Sequence, residues 1–376
     1  MTEMQHRSWA EVSTRQITEN YRAVRDVVGP TVEIAAVVKS EAYGHGALAV
    51  SRSLLAAGAR RFAVSTAEEG IALRNAGIRV PILVMADSPR YAHSAFLDYD
   101  LTPVLHSLED LALYNHHASA RGRRVPVHLK LDTGMGRLGT LASPVEIAAA
   151  VRASTHLELE GLMSHFATAD DYTTSQADEQ ARAFEETCAA LCRLGIVPTF
   201  RHAASTNAIA YGRREAWHNL VRPGLALYGY LSPSRGPAPQ ALLAVKPALT
   251  WKAGILAVKD VPAGTKIGYG GTFQAQQPMR IAVLGVGYAD GYWRSLSNRG
   301  TVIAAGKPAP VIGIVSMDLT TIDVTACPSL RAGDSVTLLG AEGAVSIEAD
   351  EIARLTGTIA YDVLCGIRSR VPRVYV

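Results

Sequence analysis

The stretch VEIAAVVKSEAYGHG, residues 32–46, decides the fold. Its first eight residues are an apolar, β-branched run that reads as a buried strand, yet the run ends in a cation, Lys39. The chain then turns through Tyr43, Gly44 and Gly46 into GALAVSRSLLAAG, an alanine-rich segment that reads as a helix. The same alternation recurs down the chain to about residue 230. Further strand candidates are RFAVST (61–66), VPILVM (80–85), LTPVLHS (101–107), VPVHLKLDT (125–133), LELEGLMSH (157–165), PTFRHAAS (198–205) and NLVRPGLALYG (219–229). Between them lie helical candidates such as TAEEGIALRNAG, SLEDLALYNHHASARG and SQADEQARAFEETCAALCRLG, each closing on a glycine that suits a helix C-cap. Eight strand-then-helix units in about 200 residues predict an α/β fold of the (β/α)8 TIM-barrel type. A doubly wound open sheet is the alternative, disfavoured because no strand runs into a GxGxxG turn.

After Tyr230 comes LSPSRGPAPQ, a proline-, glycine- and serine-rich linker over residues 231–240. From residue 241 the pattern changes to short β-rich segments, among them LTWKAGILAV, MRIAVLGVGYA, PVIGIVSM and DSVTLLG, with one helical stretch at SIEADEIARLTG. The expected organisation is therefore a barrel over residues 10–230 and a mainly β C-terminal domain over 241–376, with residues 1–9 available to pack on the β domain.

Bulk composition narrows the function. With 376 residues, 48% hydrophobic and 19% charged, and a mean hydropathy of +0.11, the chain has ample material for folded cores. Its net charge of +3 comes from interspersed signs, without the clustered basic stripe of a nucleic-acid binder. The opening MTEMQHRSWAEVSTRQ has no apolar leader, and no run approaches the roughly 18 apolar residues of a membrane span. A cytoplasmic location follows as the expectation, with neither membrane nor nucleic acid as partner. Cys188 and Cys192 share one helix face in CAALC with no second ligand pair, so packing explains them better than zinc. No metal is expected.

Chemistry in a barrel concentrates at the C-terminal strand ends. There the sequence places Lys39, Arg137, His165, Ser205, Thr206 and Arg222. Desolvation at a strand end disfavours the charged form of an amine, leaving a nucleophile for a carbonyl, and pyridoxal phosphate is the common aldehyde cofactor for such a lysine. A phosphate cradle is available after strands 7 and 8, where Ser205, Thr206 and Asn207 meet the RPGL segment containing Gly224.

The stretches VVKSEAYGHG, LKLDTGMGRLG, SHFATAD, VRPGLALYG, IGYGGTF, VGYADGYWR and VSMD, in this order and over nearly the whole chain, resemble the alanine racemases. That resemblance implies a head-to-tail homodimer carrying pyridoxal 5'-phosphate on Lys39 and racemising alanine by two bases, which supplies D-alanine for peptidoglycan. Lys39 matches the base serving the D-enantiomer. Tyr269 matches the base serving the L-enantiomer, delivered from the partner subunit and tuned through His165 and Arg222. Arg222 matches the group facing the pyridine nitrogen, and Arg137 and the Met317 N–H match the substrate-carboxylate contacts. Tyr43, Tyr361, Gly224, Leu225 and either Ser205 or Thr206 match the phosphate ligands, and Lys130 matches a lysine often carbamylated in the family. Two departures stand out: Glu41 replaces the usual asparagine near the lysine, and HAASTNA replaces the usual HxANS. A related amino-acid decarboxylase would place an acid opposite the pyridine nitrogen and a cysteine in the β domain, where this chain has Arg222 and, before Met317, Ser316. A non-enzymatic cofactor-binding barrel would lack residues 241–376. A broader racemase that also takes serine stays open.

Overall fold

A computed structural model describes residues 6–376. The chain is organised as two units: residues 17–42 with 47–246 form one, and the described residues up to 16, with 43–46 and 247–376, form the other.

The first unit is the expected barrel. Its eight strands, Glu33–Val37, Arg61–Val64, Ile82–Val84, Thr102–Leu105, Val125–Lys130, Leu157–Met163, Phe200–His202 and Leu220–Val221, form one sheet. Neighbours pair in parallel, and the eighth strand returns to the first through Glu33 opposite Leu220 and Ile34 opposite Val221. The seam between the seventh and eighth strands is closed by a single bridge from Ser205 to Arg222, with the Arg222 N–H donating to the Ala204 carbonyl at 3.0 Å. Helices cover the outer face, so most strand residues are buried on both sides and the strands read as largely apolar runs. Ile82, Leu83 and Val84, for example, are all fully buried. Local chemistry fixes the helix starts: Ser107 caps Leu108–Ala120 by accepting from the Asp110 N–H at 3.0 Å, and Ser143 opens Pro144–Ala153 with proline in its first turn and a capping box to Glu146.

The segment after the first strand departs from a simple turn. Ser40, Glu41, Ala42 and Tyr43 have φ of 51°, 52°, 53° and 54°, one turn of left-handed helix made of non-glycine residues. Each such residue costs about 1–2 kcal/mol through the crowding of Cβ against the following carbonyl, so the turn needs fixed partners. Within the barrel unit, the Ser40 N–H donates to Glu69 Oε1 at 2.6 Å. Glu41 Oε2 accepts from the Ala47 N–H at 3.1 Å at the start of helix Ala47–Ala56. In the second unit, His45 Nδ1 donates to the Tyr43 carbonyl at 2.9 Å and Arg373 Nε donates to the Gly44 carbonyl at 2.8 Å.

The second unit is mainly β. Its spine, Leu249–Val261, pairs antiparallel with Ser8–Val12, Met279–Leu284 and Ser335–Glu342. Ser8–Val12 also pairs in parallel with Arg373–Tyr375, so both ends of the described chain share one sheet. Besides the helix Ala349–Thr356 it carries a second, Ala360–Gly366, which the sequence pattern did not announce.

Gly44 lies at φ +79°, and a Cβ there would fall 2.4 Å from the Leu364 carbonyl oxygen. Gly44→Ala should therefore destabilise the protein by about 2–4 kcal/mol, combining the left-handed penalty with a contact against immobile backbone. A urea unfolding midpoint equal to that of the parent would contradict this.

Candidate active site

The barrel mouth is built around Arg222. Its side chain is only 2% exposed, and a guanidinium can donate but not accept, so each N–H needs an acceptor. Nη1 donates to the His202 carbonyl at 3.1 Å and to His202 Nδ1 at 2.5 Å. Nη2 donates to the Ser164 carbonyl at 2.7 Å, the Ala203 carbonyl at 3.2 Å and His165 Nδ1 at 3.3 Å. Burial pushes the Arg222 guanidinium down to about 9, which still leaves it charged at neutral pH.

His165 stands two residues beyond the sixth strand. Burial, and then the charges of Arg222, Lys130, Arg137 and Lys39, push its imidazole down to about 3. The ring is thus neutral, and because Nδ1 accepts from Arg222 its proton resides on Nε2. Lys130, the last residue of the fifth strand, is 3% exposed, and burial followed by the charges of Arg137 and Arg222 pushes its amine down to about 8. His106 follows the fourth strand, is pushed down to about 4 by burial and then by Lys130, and has no hydrogen-bond partner on either ring nitrogen among the described residues. Arg137 is exposed on a loop held by Asp132, whose Oδ1 accepts from the N–H groups of Gly134, Met135 and Gly136 at 3.0, 2.9 and 3.1 Å.

At the seventh and eighth strands, the buried Thr206 hydroxyl accepts from the Gly224 N–H at 3.1 Å and the Ala226 N–H at 3.2 Å. Thr206 thus shapes the loop that bears the Leu225 N–H, while the Ser205 hydroxyl makes no cap bond to its own helix. Glu41, the departure nearest Lys39, directs its carboxylate at the Ala47 N–H.

The remaining expected site residues belong to the second unit. The rings of Tyr43 and Tyr361 are 5.9 Å apart, with Tyr361 on the helix Ala360–Gly366. Tyr269 lies between glycines of positive φ and is 73% exposed in the single chain; Met317 is 53% exposed. Sequence reading missed His128, Glu160, His202 and Arg61, all polar side chains inside the barrel strands. The only signal was charge interrupting apolar runs, as in VPVHLK and LELEG.

Polar groups from successive strand ends that converge on one buried guanidinium define an enzyme working at the mouth of a (β/α)8 barrel. Comparison with known proteins makes the class specific. Residues 12–232 match the family model "Alanine racemase, N-terminal domain" and residues 248–375 match "Alanine racemase, C-terminal domain". The chain belongs to the alanine racemase family and is an isomerase. It is 40% identical to the alanine racemase of Halothermothrix orenii, over 98% of this chain and 96% of that one. It is 43% identical to that of Sorangium cellulosum, over 97% and 98%. Among solved structures, the alanine racemase of Streptomyces lavendulae superposes with a TM-score of 0.91 at 34% identity, covering 100% of this chain and 98% of that one. The alanine racemase of Bartonella henselae, solved with covalently bound pyridoxal phosphate, gives 0.87 at 29% identity, covering 99% and 100%. Among the described residues no helix is long and apolar enough to cross a membrane, and no group of three or more His, Cys, Asp or Glu residues could hold a metal ion.

Burial holds His106, His128, His165 and His202 below the ordinary histidine value of 6.5. Below pH 6.5 the unfolded chain binds protons that the folded chain refuses, so these groups stabilise the fold above that pH and the contribution is lost on acidification. At pH 5, unfolding should take up about two protons from His106 and His165 alone, with His128 and His202 adding to the uptake in the same direction. The slope of unfolding free energy against pH, from urea titrations between pH 5 and 7, measures this uptake, and a flat slope would refute it.

Proposed function

We propose that the protein interconverts L- and D-alanine by two-base racemisation, with pyridoxal 5'-phosphate held through Lys39, and that it works in the cytoplasm as a homodimer supplying D-alanine for peptidoglycan. The observation that carries this reading is the hydrogen bond from the buried Arg222 guanidinium to His165 Nδ1 at 3.3 Å at the barrel mouth, with the charges of Lys130, Arg137 and Lys39 acting on the same ring. The donor set of the barrel unit fits the cofactor. It offers an amine for the aldehyde, a donor-only guanidinium for the ring nitrogen, and the Ser205 hydroxyl with the Leu225 N–H for the phosphate.

When bound, the cofactor supplies the electron sink for charge left on the substrate Cα. Removing a proton from one face of that carbon and returning one to the other takes two carriers. Lys39 is the carrier for the D-enantiomer and Tyr269 of the partner subunit is the carrier for the L-enantiomer. A phenol ionises near pH 10 in water, and each unit of displacement toward neutrality requires about 1.4 kcal/mol of phenolate stabilisation. His165 is built to give it: Arg222 occupies Nδ1, so Nε2 is a fixed donor. Arg222 keeps its own proton and leaves the pyridine nitrogen unprotonated, which weakens the sink and disfavours side reactions. Arg137 and the Met317 N–H orient the substrate carboxylate. Tyr43, Tyr361, Ser205, Gly224 and Leu225 are the phosphate residues, with Thr206 holding the loop. The Lys130 amine, pushed down to about 8 and so about half neutral near that pH, takes up carbon dioxide and releases a proton to solvent to form a carbamate, and the resulting anion steadies Arg137.

Tyr269→Phe should lower racemisation by about 10²–10⁴-fold, the range of a lost general base, while the visible absorption of bound cofactor persists. Lys39→Ala should lose both. Circular dichroism of alanine enantiomers beside the absorption spectrum reads the two quantities. Full activity in Tyr269→Phe would refute the two-base reading.

A further inference from the structure

Beneath Arg222 an unbroken line of hydrogen bonds runs into the barrel. His202 Nε2 lies 2.7 Å from His128 Nδ1, and His128 Nε2 lies 3.0 Å from Glu160 Oε2. Both imidazoles are fully buried. Arg61 grips the far end, with Nη1 to Glu160 Oε2 at 3.1 Å, Nη2 to Oε1 at 3.3 Å, and Nε to Glu33 Oε1 at 2.9 Å. Gly161 makes the room, since a Cβ there would stand 2.3 Å from His128 Nδ1.

Proton counting fixes the direction of this line from both ends. Arg222 can only donate, so His202 Nδ1 is a lone pair. A neutral His202 then carries its proton on Nε2 and donates to His128 Nδ1. His128 in turn carries its proton on Nε2 and donates to Glu160. Started from the other end, an ionised Glu160 can only accept, and it demands the same arrangement. Protonating either ring would set two N–H groups against each other at an N···N contact or at Arg222. The two demands agree, with no proton missing or left over.

We propose that Glu160 is a positioning residue for racemisation: through His128 and His202 it fixes the orientation and the protonated state of Arg222, and through Arg222 the donor face of His165. This deepens the function proposed above and rests on it. Glu160 touches no reacting group. It acts as a partly buried anion, its side chain 20% exposed, whose hold on the guanidinium is transmitted by two fully buried imidazoles of one tautomer. The other charged or titratable groups whose fields reach His202 are Arg61 and His218, and those acting on Glu160 are Arg61 and His128.

The test uses the full-length holoenzyme. In the unaltered protein, 15N-resolved imidazole spectra should show His128 and His202 both protonated on Nε2 alone, without titration between pH 5.5 and 9. Either ring as an imidazolium, or protonated on Nδ1, overturns the proposal without need of a variant. In Glu160→Gln, kcat should fall about tenfold with KM for alanine changed less than threefold, and the alkaline limb of the kcat profile should move about one pH unit toward acid. Glu160→Asp should return the limb toward its original position. A folded Glu160→Gln enzyme with an unmoved limb sinks the positioning role and leaves the two-base reading intact. Absence of racemisation in the unaltered protein sinks that reading instead, and the positioning role with it, while the imidazole spectra still report on the hydrogen-bonded line itself.

Discussion

A charged guanidinium taken out of water must be met by acceptors on every side, and Arg222 imposes that requirement on the rim of the barrel. An isolated buried ion is penalised by several kcal/mol even after relaxation. Here the carbonyls of Ser164, His202 and Ala203, which emerge where the sixth and seventh strands run out of partners, turn toward one side chain. The Ser205–Arg222 bridge closes the seam at the same place. One residue serves both the seam and the rim: without Arg222 the rim carbonyls lose their donor, and without the rim the cation has no place to be buried. The neutrality of His165 follows first from its burial and then from the same charge.

A second constraint acts on the chain itself. Four consecutive non-glycine residues in left-handed conformation are unfavourable in isolation, and such strain persists only where surrounding contacts over-determine it. Glu69 and Glu41 supply carboxylate acceptors on the barrel side, and Arg373 secures Gly44 in the second unit. The turn gives the chain an abrupt change of direction one residue after Lys39. With the chain so turned, the Glu41 carboxylate serves as a helix acceptor for the Ala47 N–H.

The barrel was legible because its strands are buried on both faces and so appear as apolar runs at regular spacing, and because capping residues mark the helix starts. The rim residues Lys39, His165 and Arg222 stood out as polar groups ending those runs. Other features were not legible. Nothing local in KSEAY requires positive φ, since none of these residues is glycine and the strain is imposed by tertiary partners. His128 and Glu160 looked like interruptions, because the value of a polar residue in a barrel strand depends on a partner dozens of positions away. The helix Ala360–Gly366 is too short to show a period. The Thr206 hydroxyl accepts from the Gly224 and Ala226 N–H groups across the loop, contacts that spacing cannot reveal.

The bare Cα of Gly161 has a consequence for how such a barrel can change over generations. Alanine at 161 is sterically forbidden while the imidazole of residue 128 fills the space, and removing that imidazole first leaves a void beside an orphaned carboxylate. Either single step passes through a compromised protein, so the two positions form a ratchet that only simultaneous replacement can release. Lineages sharing this interior should retain the pair together or lose it together.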